Sequence, residues 1–224
     1  MQQLDTQLLG DRILFISAHD DDSLIGCGGL ISNLINLNKE IYTIIFTDGS
    51  LGYTRESDKN EIVERRKREC IEIYTHNQNN VVFFDLPDMS LNNYECWETI
   101  TGDKGGYQLL FYHLRKIRPD SVFIPHHYDR HPDHQSVNRI AKIICWQVTQ
   151  PILPDYGKPL SQLNLYAYQV WDKIKGAAVE YILNKRDQEF KKNTLQKFKS
   201  QQLIINQFIS DETNLLREHY QLIS

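Results

Sequence analysis

Short apolar runs rich in β-branched residues alternate with segments of helical period along most of this chain. RILFIS (Arg12 to Ser17) predicts a strand and CGGLISNLINL (Cys27 to Leu37) a helix. The same alternation repeats as IYTIIFT (Ile41 to Thr47) then Asn60 to Tyr74, and as VVFFDL (Val81 to Leu86) then Gly106 to Ile117. It repeats once more as SVFIP (Ser121 to Pro125) then His134 to Val148. Late strands are expected at Asn164 to Trp171 and Ala177 to Leu183, then a long helix over roughly Arg186 to Phe208 and a short final one. Strand–helix alternation of this kind predicts an α/β fold, a three-layer sandwich whose mostly parallel sheet is covered on both faces.

Length and charge narrow the picture only slightly. With 224 residues, one domain over 1–224 is the expectation. A net charge of -4 gives no global attraction to nucleic acid or anionic membrane. Neither a signal peptide nor a transmembrane segment is expected. Cys27, Cys70, Cys96 and Cys145 form no CxxC pair, so a zinc ribbon or disulfide framework is unsupported and a cytoplasmic location is the default. The composition leaves a homo-oligomer open.

Candidate chemistry sits at two strand ends. In SAHDDDSLIGCGG (Ser17 to Gly29), His19, Asp20, Asp21 and Asp22 follow the first strand. Ligands bind outside the carboxyl ends of strands in open parallel sheets. Four ionisable groups there repel one another unless a cation compensates. A solvated acidic turn capping the helix explains this stretch alone equally well. A dinucleotide loop is disfavoured, because Ile31 stands where GxGxxG needs its third glycine. HHYDRHPDH (His126 to His134) follows SVFIP at the end of the fourth predicted strand. The first and fourth strands commonly adjoin at the switch point of a doubly wound sheet. That would gather His19, Asp22 and His134 as three metal ligands with a fourth position open, the pattern of a catalytic zinc site.

The two motifs together resemble the PIG-L / LmbE-like family of zinc-dependent N-deacetylases, whose pattern is AHPDDE followed by HPDH. Here the residues are Ala18-His19-Asp20-Asp21-Asp22-Ser23 and His131-Pro132-Asp133-His134. Further motifs follow in order: Thr47-Asp48-Gly49, Arg66-Lys67-Arg68-Glu69, Gln169-Val170-Trp171, and Lys191 followed by Ser200-Gln201. The resemblance implies an LmbE-like fold and removal of the acetyl group from an N-acetylglucosamine-type conjugate. It implies His19, Asp22 and His134 as ligands of Zn2+, with Fe2+, Co2+ or Mn2+ also compatible with the donor set. Asp21 would be the general base. His131 would stabilise the oxyanion or protonate the leaving amine, oriented by Asp133, and as an imidazolium it would supply the basic limb of a bell-shaped pH profile. Arg66 would hold substrate or the acidic cluster.

Arg66 also has support from the helix pattern. It shares a face with Ile62, Cys70 and Ile73, so its charge is expected to be buried against the Asp20–Asp22 cluster. Two departures from the family pattern stand out: Asp20 in place of proline and Ser23 in place of glutamate. Tyr128 is a candidate substrate-side residue, and the segments Pro87 to Lys104 and Gln150 to Ser161 are expected to shape the pocket rim. The rival reading is a non-catalytic relative that binds metal or sugar without turnover.

Overall fold

The computed structural model describes residues 1–176 and 179–223. In chain order the elements are β1 (Gln2–Gln3), β2 (Arg12–Ser17), α1 (Asp22–Asn36), β3 (Glu40–Thr47), α2 (Ile62–His76) and β4 (Asn79–Leu86). Then come α3 (Gly106–Ile117), β5 (Ser121–Pro125), α4 (Pro132–Gln147), β6 (Asn164–Tyr168) and β7 (Val179–Ile182). The chain ends with α5 (Lys185–Leu195), α6 (Gln202–Ser210), α7 (Thr213–Leu216) and β8 (Arg217–Leu222).

Eight strands form one sheet in the order β1-β7-β8-β6-β5-β2-β3-β4. Pairing is parallel from β6 through β5, β2 and β3 to β4, while β8 runs antiparallel to both β6 and β7. Alternate residues of β2 explain why the sheet needs cover on both faces. Ile13 and Phe15 enter a core shared with α1, α2 and α5. Leu14 and Ile16 enter a second core shared with α3 and α4. The mostly parallel three-layer α/β arrangement is therefore the one the alternation predicts.

The switch point falls between β2 and β5. From β2 the chain moves outward through β3 and β4, then crosses back to lay β5 on the other side of β2, with Ile13 opposite Ser121 and Phe15 opposite Phe123. The loops after β2 and β5 thus open side by side at one edge of the sheet. Gly26 lets α1 approach this region closely, since a Cβ there would lie 2.4 Å from the Tyr168 ring.

Two expectations need correction, and a third is met over its described residues. The long helix over Arg186 to Phe208 is broken: α5 ends at Leu195 and α6 starts at Gln202. Between them Phe198 is fully buried, and Ser200 is held by Glu69, which accepts from its backbone N (3.0 Å) and Oγ (2.7 Å). The tail carries an additional strand, β8, whose Glu218 and Tyr220 face inward. Glu218 accepts from the backbone of Gly29 (2.8 Å) and Leu30 (3.0 Å) and pairs with Lys191 (2.8 Å), which fastens the tail to α1. The strand expected over Ala177 to Leu183 is seen as Val179–Ile182; Ala177 and Ala178 lie outside the described residues. Among the described residues no helix is long and apolar enough to cross a membrane.

Candidate active site

Helix α1 begins earlier than its apolar pattern suggests, so Asp22 occupies its first turn and His19 lies just ahead of it. The Asp22 carboxylate folds back to accept from the His19 backbone N at 2.8 Å. This local turn sets the two side chains on one side, with His19 Nδ1 3.5 Å from Asp22 Oδ2. On the neighbouring loop, Pro132 opens α4 and His131 is its N-cap. The first full turn presents His134 to Asp22, with Nε2 3.1 Å from Oδ1. His19 Nδ1 and His134 Nε2 are 3.3 Å apart. The three residues expected to converge do so.

The outer nitrogens of both rings are committed to carboxylates. His134 Nδ1 donates to Asp129 Oδ1 at 3.0 Å, and His19 Nε2 donates to Asp88 Oδ1 at 3.2 Å. With those protons assigned, both inner nitrogens present lone pairs to each other and to the Asp22 carboxylate. A buried cluster of acceptors calls for a proton or a cation. Without a cation it draws protons: Asp22 and Asp129 outweigh the burial of His134 and hold its imidazole up at about 9. Asp22 is held well below the usual carboxylate range, because His134 and His19 outweigh its own burial. Two imidazoles and one carboxylate, each ring oriented by a further carboxylate, fit a divalent metal.

Asp88 and Asp129 were not singled out in the sequence, and both are buried. Asp88 follows the carboxyl end of β4 and also accepts from Leu51 N at 3.1 Å. Asp129 lies within HHYDRHPDH, five residues before the histidine it holds, and accepts from the backbone of His131 (3.0 Å) and Trp171 (2.8 Å) as well. An aspartate just past a strand end, or within the histidine run, was the available signal.

Asp21 lines a cavity of about 190 Å³ together with His19, Asp22, Ile25, Asp88, His131 and Trp171. Burial and then the neighbouring Asp20 charge push its carboxyl up to about 7, against the pull of Arg66. Arg66 is buried as its helix face predicts, and its Nε donates to Asp20 Oδ1 at 3.0 Å. Its Nη2 also bonds Asp20 and lies 3.8 Å from Asp21 Oδ1. Asp20 is thereby turned away from the histidines and does not compete as a ligand. Gly52 leaves room for the guanidinium, since a Cβ there would lie 2.0 Å from Arg66 Nη1. Ser23, at the other departure, meets Tyr74 Oη at 2.8 Å, and Tyr74 in turn donates to the Asp20 carbonyl at 2.9 Å.

His131 is in the cavity wall. Burial, then His19 and His134, push its imidazole down to about 4. Its Nδ1 accepts from the Asp133 backbone N at 3.3 Å as the cap of α4, a position where the helix dipole also opposes positive charge. The neutral ring therefore carries its proton on Nε2. Asp133 does not orient that ring through its carboxylate. Its oxygens accept from Met89 N (2.7 Å) and Leu91 N (3.2 Å), which pins the loop after β4.

The rim also differs in part from expectation. The segment from Pro87 to Lys104 supplies Asp88 and Met89, but Gln150 to Ser161 supplies nothing to the cavity. That segment follows the far end of α4, roughly 24 Å from His131 along the helix, where Arg115 donates to the carbonyls of Val148 and Gln150 (each 2.8 Å). Leu51 and Gly52, Val170 and Trp171, and Gln201 and Ile204 complete the wall instead. Tyr128 is 72% exposed and lines an outer hollow beyond Trp171.

The chain is similar to several known proteins. A diacetylchitobiose deacetylase of Thermococcus kodakarensis is 29% identical over 131 residues, which is 55% of this chain and 45% of that protein. The match thus spans less than half of the relative's length. The N,N'-diacetylchitobiose deacetylase of Pyrococcus horikoshii, solved with an inhibitor, shares the fold at a TM-score of 0.75 and 22% identity, over 95% of this chain and 84% of that one. The 4-carboxy-2-hydroxymuconate hydratase of Pseudomonas putida KT2440 shares it at 0.71 and 14% identity, over 95% and 96%. Residues 14–145, more than half of the chain and the stretch holding both strand-end motifs, match the family described as PIG-L, GlcNAc-PI de-N-acetylase, and the chain belongs to that family.

Proposed function

We propose that this chain is a metal-dependent N-deacetylase, acting as a single domain, that releases acetate from an N-acetylated amino sugar. The observation that carries the reading is the convergence of His19 Nδ1, His134 Nε2 and the Asp22 carboxylate beside Asp21 in one cavity. The names of the two diacetylchitobiose deacetylases support the substrate class. The hydratase of the same fold means that architecture alone does not choose the reaction.

His19, Asp22 and His134 would hold the metal, and two imidazoles with one carboxylate favour zinc. A divalent ion there supplies a Lewis acid for the amide carbonyl and makes water more acidic. Asp21 takes the proton of the attacking water. A carboxyl already pushed up to about 7 can hold that proton and then pass it to the amide nitrogen as the C–N bond breaks. Water thus adds OH to the acyl carbon and H to the amine, and Asp21 returns to its starting form. Arg66 limits the negative charge around Asp21 by pairing with Asp20, so it acts as a positioning residue. Neutral His131 offers Nε2–H to the carbonyl oxygen as negative charge develops there, an interaction stronger in the transition state than in the ground state.

The test is acetate and amine release from a panel of N-acetylhexosamine conjugates, with metal content measured on the same samples. Release that depends on bound metal supports the reading. Metal-loaded protein that releases acetate from none of them contradicts it and favours a non-catalytic relative.

A further inference from the structure

One wall of the catalytic cavity has a second side. Leu51 and Gly52, from the loop between β3 and α2, line the cavity with Gln201 and Ile204, at the start of α6. Gln201 joins the two segments, donating Nε2 to the Gly52 carbonyl at 2.9 Å. Adjoining residues of the same two segments, Thr54 and Arg55 on the loop and Lys199 and Ser200 ahead of α6, line a separate cavity of about 240 Å³. Arg65 of α2 lines it as well, so three cations face one acid, Asp58. Arg55 and Lys199 are exposed, and among the described residues neither enters an ion pair. Arg65 Nε lies 3.4 Å from Glu69 Oε1, but that carboxylate is engaged by the backbone N (3.0 Å) and Oγ (2.7 Å) of Ser200. On a chain of net charge -4, this is a positive patch assembled from three separate segments. Its like charges repel across the seam that Gln201 closes.

We propose that this second cavity is an effector site for a phosphate group, held by Arg55, Arg65 and Lys199, whose occupation tightens sugar binding across the shared wall. Two guanidinium groups and an ammonium suit the tetrahedral oxygens of phosphate. An anion between them replaces repulsion with attraction and draws the loop onto the linker, which orders Leu51, Gly52 and Gln201 on the catalytic side. The phosphate site stands apart from the deacetylase reading, whereas its effect on sugar binding rests on that reading. Inorganic phosphate and glycerol phosphate are titrated by calorimetry, at fixed ionic strength, into the metal-loaded protein and into its Arg55→Gln/Lys199→Gln variant. The tighter ligand tells a free ion from a phosphomonoester. The variant should weaken binding by roughly two- to thirty-fold. Phosphate taken up by the catalytic metal is insensitive to these two exposed side chains. No binding in wild type, or an unchanged affinity in the variant, therefore overturns the site. Methyl glucosaminide is then titrated with and without phosphate, at a concentration that fills only the wild-type site. On adding phosphate, wild type should gain about five-fold in sugar affinity relative to the variant. No gain relative to the variant overturns the coupling. Phosphate binding that depends on Arg55 and Lys199, with no sugar binding under either condition, contradicts the deacetylase reading and leaves the phosphate site standing.

Discussion

His19 Nδ1 lies 3.3 Å from His134 Nε2, although 115 residues separate them in the chain. The β2–β5 pairing brings their loops together, and Asp88 and Asp129 fix which nitrogen of each ring faces inward. The pair is prepared for a cation, and the predictions follow from what replaces the cation when it is absent.

Metal-free protein should lose stability as pH rises, and metal should restore more of it at higher pH. His134 has a folded value near 9, above its ordinary 6.5, and Asp21 one near 7, above 3.8. Groups raised on folding contribute stability that is full below the unfolded value and lost as pH passes the folded one. For Asp21 that window runs from 3.8 to about 7, and for His134 from 6.5 to about 9. Metal needs the deprotonated ligands, so its binding tightens over the same range. Thermal melts from pH 5 to 9, with zinc and with chelator, should show a metal-dependent gain in Tm that grows with pH. A gain independent of pH would argue against His134 as a ligand.

Asp21→Asn should retain metal and lose about 10²–10⁴-fold in kcat, the usual worth of a general base. The variant keeps the volume of the side chain and removes only the proton acceptor. Near-normal turnover would take Asp21 out of the proposed mechanism.

His131→Ala should lower kcat by about 10²–10³-fold, the typical worth of one oxyanion donor, and leave metal content unchanged. Because the ring is neutral above about 4, the basic limb of the wild-type pH profile should survive in this variant. Loss of that limb would restore a protonated His131. The variant also removes the cap of α4, at a cost of about 1 kcal/mol in stability.

The site was legible in the sequence where its residues are adjacent in the chain. His19 to Asp22 and His131 to His134 stand at strand ends, and the helical period placed Arg66 on the buried face of α2. Orientation was less legible. Asp133 turns to Met89 and Leu91 instead of His131, because backbone donors of a distant loop reach it first. The break between α5 and α6 arises from Glu69 gripping Ser200, a contact 131 residues long that leaves no trace in local periodicity. β8 was missed for the same reason: its inward Glu218 is a charged residue whose partners, Lys191 and the α1 backbone, are supplied by the fold.

Arg66→Met should destabilise the protein by about 3–5 kcal/mol, since it leaves Asp20 buried without its partner. Combining it with Asp20→Asn should recover part of that loss, measured as non-additivity in a denaturant double-mutant cycle. Additive effects would mean that the pair is not coupled.

The most direct test of the central claim is zinc titration of chelator-treated protein with acetate release followed on an N-acetylated amino sugar. Wild type should regain activity in proportion to bound zinc, saturating at one ion per chain, whereas His134→Ala should neither retain the ion nor release acetate. Full metal occupancy in His134→Ala, or acetate release by the metal-free wild type at the metal-loaded rate, would contradict it.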